Sequence, residues 1–423
     1  MTTTRKYCTL FALSISYAVV YIIVYLQYVL YDPMKEAFGI NNTQMGFLMS
    51  CYAIGMTIGF LPGGVIADKF STKKIIVISL FANGLVTLLL AIKMTYTMAL
   101  IVWFLFSFTS AFAIWSALIK GVMSLSTKDD GARVYSIYYF GGGVVTTLLG
   151  ISQVSMYSHI SDPVEAVRWI IIVSGVASII CAGVVWFLFT DVKDRGGSDE
   201  EEEKFEFRHV KALVKSPITW ALTAAIFCVY GIRITGFTYF NPYLTDIKGL
   251  AITDAGWLGI IRSQVFPMLS PIAGYIVDKW LHKSTTKLFS IAFAILIVLY
   301  AVVMFVPETM NLTMVLILSL LPALVSTLMY GVMFSVLNEA RIPQIVMGTI
   351  IGIASIIGYS PDMFFYPLFG SVIDKMGGAG YNVIFVGMMV LGVAGMVVCS
   401  YIRRYVKKYD AGLIKPAFEN LDK

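Results

Sequence analysis

One short pattern recurs at a fixed offset, and it constrains this chain more than any other feature. Gly64-Val65-Ile66-Ala67-Asp68-Lys69 closes one long apolar stretch, and Gly274-Tyr275-Ile276-Val277-Asp278-Lys279 closes another 210 residues later. The same offset pairs Thr43-Gln44-Met45-Gly46-Phe47-Leu48 with Thr253-Asp254-Ala255-Gly256-Trp257-Leu258. Two matches at one spacing mark a duplicated unit. Each copy begins and ends at the edge of an apolar run, so the unit is a set of membrane spans.

Composition agrees. Hydrophobic residues make up 58% of the 423 positions and charged residues 13%, where a soluble domain carries about 25% charged. Mean hydropathy is +0.81. A helix that crosses the bilayer needs roughly 20 apolar residues. Twelve such stretches follow one another, at 8–30, 44–66, 75–92, 97–119, 134–157, 168–190, 217–240, 254–277, 287–306, 312–335, 344–369 and 382–402. The first run is read as a retained span, because it lacks a small-residue cleavage site. The longest polar break, 191–216, holds Gly196-Gly197-Ser198 and the acidic run Asp199 to Glu203, a solvated linker. The expected fold is therefore an all-α membrane protein of two pseudo-symmetric six-helix bundles, 1–190 and 217–423, joined by a linker at 191–216.

Lysine and arginine in the connectors set the orientation. One side holds Arg5, Lys6, Lys69, Lys73, Lys74, Lys120, Lys128, Arg133, the linker, Lys279, Lys283, Lys287, Arg341 and the Arg403–Lys408 cluster. The other holds only Lys35, Lys93, Arg168, Lys248 and Lys375. The rich side is expected to be cytoplasmic, with both termini inside a bacterial plasma membrane. The net charge of +6 is thus spent on the membrane face and does not imply nucleic acid. The five cysteines have no paired spacing and the three histidines fall in connectors, so no disulfide framework, metal site or cofactor is expected. A third copy of the pattern, Gly370-Ser371-Val372-Ile373-Asp374-Lys375, follows span eleven on the poor side. Related ends on opposite faces are what nested inverted repeats produce.

With these residues in place, the chain resembles the major facilitator superfamily along nearly its whole length. The signature loop of that family lies between spans two and three, and Gly64, Asp68, Lys69, Lys73 and Lys74 fit it, with Ser71 where a second glycine is usual. The resemblance implies a cytoplasmic gate. Asp68 would sit near the start of span eleven, just after Pro343, and gain from the positive helix end. The lysines, Arg133 and the repeat residues Asp278 and Lys279 would complete that gate. Signatures of drug/proton antiporters, sugar porters and peptide symporters are missing. The remaining resemblance is to organic-anion and organophosphate carriers, which place an arginine in span seven, as Arg233 is placed; their first-span arginine is absent, and Tyr25 lies near that depth.

Charge inside a membrane is costly, about 2.5–3.5 kcal/mol for an arginine at the centre on insertion scales. Spans three, six, nine and twelve carry none between their ends, and the interior charges are Arg233, Arg262 and Asp362. All three fall in the outer half of their spans. The arginines are candidate solute contacts. Asp362, which follows Pro361, is the candidate ion-coupling residue for a proton or Na⁺, through exchange of ion pairs with Arg233. The amino-terminal half offers Tyr17, Tyr21, Tyr25 and Tyr28 at helical spacing, with Gln27 and, in span five, Tyr138. An apolar ring with a hydroxyl suits a sugar-like or carboxylated solute.

The reading is a secondary active transporter for a small polar solute, an organic anion such as a sugar acid or carboxylate, acting as a monomer. Efflux of amphipathic compounds is an alternative that two interior arginines oppose. A non-transporting sensor is another. No phosphate-binding Gly-x-x-x-x-Gly-Lys-Ser/Thr loop supports ATP drive, and no catalytic constellation supports an enzyme.

Overall fold

A computed structural model describes residues 3–125, 131–190, 212–305, 311–342 and 346–414, and no strand occurs among them. Spans three, five, six, seven, nine and twelve are single helices: α4 (Thr72–Ile92), α7 (Gly131–His159), α8 (Pro163–Leu188), α9 (Pro217–Asp246), α12 (Thr285–Met304) and α17 (Ala379–Asp410). Span two is α3 (Asn42–Lys69), whose first turn is closed by a capping box between Asn41 and Gln44. Nine of the described helices have the length and hydropathy to cross a bilayer; with α3 and the interrupted spans one and eleven, the chain has twelve crossings.

Several spans depart from regular α-helix. Span one is helical only as α1 (Thr3–Tyr21); a 3₁₀ turn at Leu26–Tyr28 follows, then a short helix α2 (Tyr31–Phe38). The run Val19-Val20-Tyr21-Ile22-Ile23-Val24 is rich in β-branched residues, which lose side-chain freedom against the preceding helical turn. The carbonyls freed beyond it find a donor elsewhere, since Asn241 Nδ2 donates to Tyr28 O at 3.1 Å and to Val29 O at 2.9 Å. Span four joins α5 (Tyr96–Phe106) to α6 (Ile114–Leu125) through a π-helical segment at Ser107–Phe112. Span eight joins α10 (Ile252–Ile260) to α11 (Ser270–Lys279) through a π-helical segment at Ile261–Val265 and a 3₁₀ turn at Phe266–Leu269. Span ten is α13 (Leu312–Gly331), with the short α14 (Ser335–Glu339) beyond it. Span eleven breaks at Tyr359–Ser360 between α15 (Met347–Gly358) and α16 (Pro361–Met376). Pro361 accounts for this break, because the residue before a proline is pushed out of the helical region.

The repeat is visible in the elements. Gly46 is the fifth residue of α3 and Gly256 the fifth of α10, each where a side chain would press on a neighbouring segment.

The chain forms two compact units: residues 1–196, 241–268 and 366–375 in one, and 197–240, 269–365 and 376–423 in the other. In the first, Leu13, Ile76, Leu118, Tyr138 and Val185 belong to one buried core under spans one and three to six. Spans three and six meet at glycines; a Cβ on Gly84 would stand 2.7 Å from the carbonyl of Gly175. Small residues at such crossings let backbones approach closely. In the second unit spans nine and twelve meet in a similar way, Gly392 lying against Ile297 and Gly395 against Phe293. Ile78, Phe81, Leu85 and Leu89 of span three are exposed, as are Val386, Val390, Val393 and Val397 of span twelve. Apolar stripes at steps of three and four are the faces that a bilayer covers. The linker residues 191–211 lie outside the described set.

Candidate functional site

The second unit holds two of the three interior charges. Tyr230, Arg233 and Phe237 are spaced by three and four along α9, so they share one face. The Arg233 guanidinium carbon lies 4.3 Å from the Phe237 ring centre and 4.1 Å from that of Tyr330 on α13. Both ring faces attract the cation. Asp362 stands in the first turn of α16, just past the break, and is 3% exposed. Tyr230 Oη donates to Asp362 Oδ2 at 2.7 Å. The Tyr230 ring packs edge-on against Tyr359 at 4.6 Å, and the Phe334 ring is also edge-on to Tyr359, at 6.3 Å. Among the described residues Arg233 and Asp362 make no ion pair within 4.0 Å. Tyr230 holds the carboxylate and two rings hold the guanidinium.

Periodicity could have found part of this cage, because Tyr230 and Phe237 flank Arg233 at helical spacing. Tyr330, Tyr359 and Phe334 come from other spans, and only the fold brings them in.

The first unit holds the tyrosines and Arg262. Tyr17, Tyr21, Tyr25 and Tyr28 form a continuous ring series, with centroids 5.5, 6.0 and 5.3 Å apart along it. The stripe survives the end of α1 because the turn at Leu26–Tyr28 keeps Tyr28 stacked on Tyr25. Tyr17 touches Tyr138 and Trp115, and Tyr25 touches Tyr52, whose hydroxyl is 3.0 Å from Ser110 Oγ. Tyr138 of span five is fully buried. Gln27 is 2% exposed, and its Nε2 has no hydrogen-bond partner among the described residues. Arg262 is 0% exposed within the π-helical segment of span eight. Gln264, two residues on, lies against Gly150 of span five, and Gln153, one turn along from Gly150, is also buried. These two amides carry no sequence signal beyond being polar residues in apolar spans.

The side chains of Gly64, Asp68 and Arg133, and the segment 343–345 with Pro343, lie outside the described residues. Of the remaining gate candidates, Lys69 and Lys74 are exposed at the end of α3 and the start of α4, and Lys73 Nζ sits 4.8 Å from the Trp186 ring. Lys120 Nζ donates to the carbonyl of Ala67 at 3.1 Å, which ties span four to the signature segment. Asp278 and Lys279 are exposed at the end of α11. Among the described residues no group of three His, Cys, Asp or Glu side chains is arranged to hold a metal ion.

The sequence profile of the Major Facilitator Superfamily matches residues 13–361. The chain is 30% identical over 395 residues to the inner membrane protein YqcE of Escherichia coli K12, covering 92% of this chain and 93% of that one. It is 27% identical over 403 residues to the inner membrane protein YihN of the same strain, covering 94% and 95%. More distant relatives include an E. coli D-galactonate transporter, 23% identical with 69% of this chain and 70% of that one covered. A probable galactarate/D-glucarate transporter of Bacillus subtilis is 21% identical, with 61% and 62% covered. Among solved structures, the nucleoside transporter NupG (D323A mutant) superposes with a TM-score of 0.76 at 14% identity, covering 94% of this chain and 99% of that one. A bacterial homologue of the lysosomal transporter Spinster, inward-facing and unoccupied, gives 0.74 at 16% identity, covering 96% and 97%. The chain is a multi-pass membrane protein and belongs to the major facilitator superfamily.

Proposed function

We propose that this chain is a secondary active transporter of small organic anions, of the sugar-acid or related carboxylate class, working as a monomer by alternating access in a bacterial plasma membrane with both termini cytoplasmic. The observation that carries this reading is the clamp on Arg233. Phe237 and Tyr330 hold the guanidinium through two cation–π contacts, and its forked row of N–H donors matches a planar carboxylate. The transport of D-galactonate and, in a probable assignment, of galactarate and D-glucarate by distant relatives points to the same class. Within the first unit, Arg262, Gln27, Tyr21 and Tyr25 are the candidate donors and ring faces for a hydroxylated solute. Asp362 is the residue that would take up the coupling proton or Na⁺, with the Tyr230 hydroxyl as its partner in the ion-free state.

A thermal-shift screen of purified protein tests the reading. Ligands bound to the folded state raise its melting temperature by mass action. Galactonate, glucarate, galactarate and hexuronates are expected to raise it, and uncharged sugars are not. If only amphipathic cations shift the melt, the transporter is an efflux protein and the proposal is wrong.

A further inference from the structure

The third copy of the repeated pattern has its partners in view, and they lie at the end of α3 opposite the signature loop. Asp374 Oδ1 accepts from Asn42 N at 3.1 Å and Asn42 Nδ2 at 2.7 Å. Asp374 Oδ2 accepts from Thr43 N at 2.8 Å and Thr43 Oγ1 at 2.6 Å. Asn42 and Thr43 are the first two residues of α3, so the carboxylate satisfies two of the four N–H groups that a helix start leaves over. It also sits at the positive end of the helix dipole.

Two glycines let α16 come this close. A Cβ on Gly370 would overlap the carbonyl of Asn42, and one on Gly46 would overlap the backbone of Tyr366 and Pro367. One turn of helix before Gly370, Tyr366 Oη lies 2.8 Å from Tyr28 Oη. This seam is backbone on backbone with polar contacts at its rim. At Gly46 and Gly370 the two helices meet through backbone atoms, with no side chain of either glycine between them. Partial burial alone would push the Asp374 carboxyl up, but the hydrogen bonds from Thr43 and Asn42 outweigh it and hold the group below its ordinary range.

The second copy is in the opposite condition. A Cβ on Gly274 would meet nothing within 4 Å among the described residues, and Asp278 is exposed. Among the described residues, one copy of the pattern caps a helix start and the other has an exposed carboxylate.

We propose that Asp374 is a conformational latch: its grip on the first turn of α3 seals the end of the bundle that carries residues 28–43 and 366–375, and the latch releases in every cycle. Span two then carries a gating carboxylate from its own sequence at one end and receives one from span eleven at the other. The latch holds whatever the solute is, and so stands apart from the substrate assignment.

Hydrogen exchange on the intact purified protein, with no solute present, tests it. Asp374→Ala is expected to speed exchange at least tenfold at 42–46. The same acceleration is expected at 366–372 and at 28–31, where the backbone has no contact with the carboxylate itself. Asp374→Asn, which keeps one acceptor oxygen, is expected to fall between and serves if the alanine variant does not fold. Acceleration confined to the amides of residues 42–46 in both variants makes Asp374 a helix cap and overturns the latch. A Thr43→Cys/Asp374→Cys pair gives a second reading. Its oxidised form is expected to suppress exchange at 28–31 and 366–372 below wild type. Equal exchange with and without the cross-link means that the seam never opens, which also overturns the proposal.

Discussion

Arg233→Lys isolates the role of the clamped guanidinium. The substitution keeps the positive charge and a chain of similar reach. It removes the planar fork and replaces two face-on ring contacts, at 4.3 and 4.1 Å, with those of a compact ammonium. A hydrogen bond to a charged group contributes about 1.5–3 kcal/mol. A lysine can replace one bond of a bidentate pair but not both in the same plane. Losing one such bond weakens carboxylate binding roughly 10- to 150-fold, at about 1.4 kcal/mol per factor of ten. The assay is the melting temperature at a fixed concentration of the acid that stabilises wild type most. At 100 times the wild-type Kd the ligand contributes about 2.7 kcal/mol, and a 30-fold weaker variant retains about 0.9 kcal/mol. The ligand-induced shift should therefore fall by about two thirds. Arg233→Gln should abolish it. Phe237→Leu and Tyr330→Leu each remove one ring contact to the guanidinium and should weaken binding by about 0.5–2 kcal/mol. If Arg233→Lys shifts as far as wild type, the guanidinium edge is not the carboxylate contact, and the charge serves only the cage around it.

Asp362→Asn is expected to preserve binding and solute exchange in proteoliposomes while abolishing accumulation driven by a proton or Na⁺ gradient; Tyr230→Phe should shift the ion dependence without removing it. A variant at Asp362 that still concentrates solute like wild type makes that carboxylate structural. Glu339 accepts from Ser284 Oγ, Thr286 N and Thr286 Oγ1 at 2.7, 2.8 and 2.6 Å, closing the first turn of α12. Glu339→Gln should cost about 1.5–3 kcal/mol, read as a lower melting temperature with unchanged ligand binding, and an unchanged melt would show the cap to be dispensable. Two carboxylates give opposite pH responses. Asp374 is held below its ordinary value of 3.8, so its stabilisation is present above that value and lost as pH falls through the depressed one. Asp32 is pushed up, first by burial, against the hydrogen bond from Thr245 and the charge of Lys35, so its effect has the reverse sign. Its protonated form is the favoured one, and the stabilisation is full below 3.8 and lost as pH rises through the raised value. Asp32→Asn should therefore raise the melting temperature at neutral pH and flatten its dependence between about pH 4 and 7; a lower melt at neutral pH would show that the ionised form is the stabilising one.

Much of the fold could be read from the chain because its signals are local. Apolar stretches, the 210-residue offset and the lipid-facing stripes of spans three and twelve all rest on the residues of single helices. The proline at 361 marks the break in span eleven for the same reason. The interruption of span one was not legible. Its β-branched run also suits a continuous membrane helix, and the choice depends on Asn241, more than two hundred residues away. The candidate site divides in the same way. Arg233, Arg262 and Asp362 stand out as charges in apolar runs, but what each touches is decided by residues on other spans. Arg233 meets rings rather than a carboxylate, and Asp362 meets a phenol. The pattern ending in Asp374 could be found by eye, whereas its acceptor role depends on an approach between residues 331 and 332 positions apart.

The amide of Asn241 has a consequence for how related sequences can diverge. It serves the carbonyls of Tyr28 and Val29, and the one on Val29 has no α-helical donor in any case, because the residue four on is Pro33. A descendant that winds this stretch into helix as far as Asp32 pairs the Tyr28 carbonyl within the helix and still leaves the Val29 carbonyl to the amide of Asn241. Position 241 is released to become alanine or glycine only when residue 33 regains an N–H. The two sites should drift together through ancestry, linked by a single hydrogen-bond debt that neither local stretch records alone.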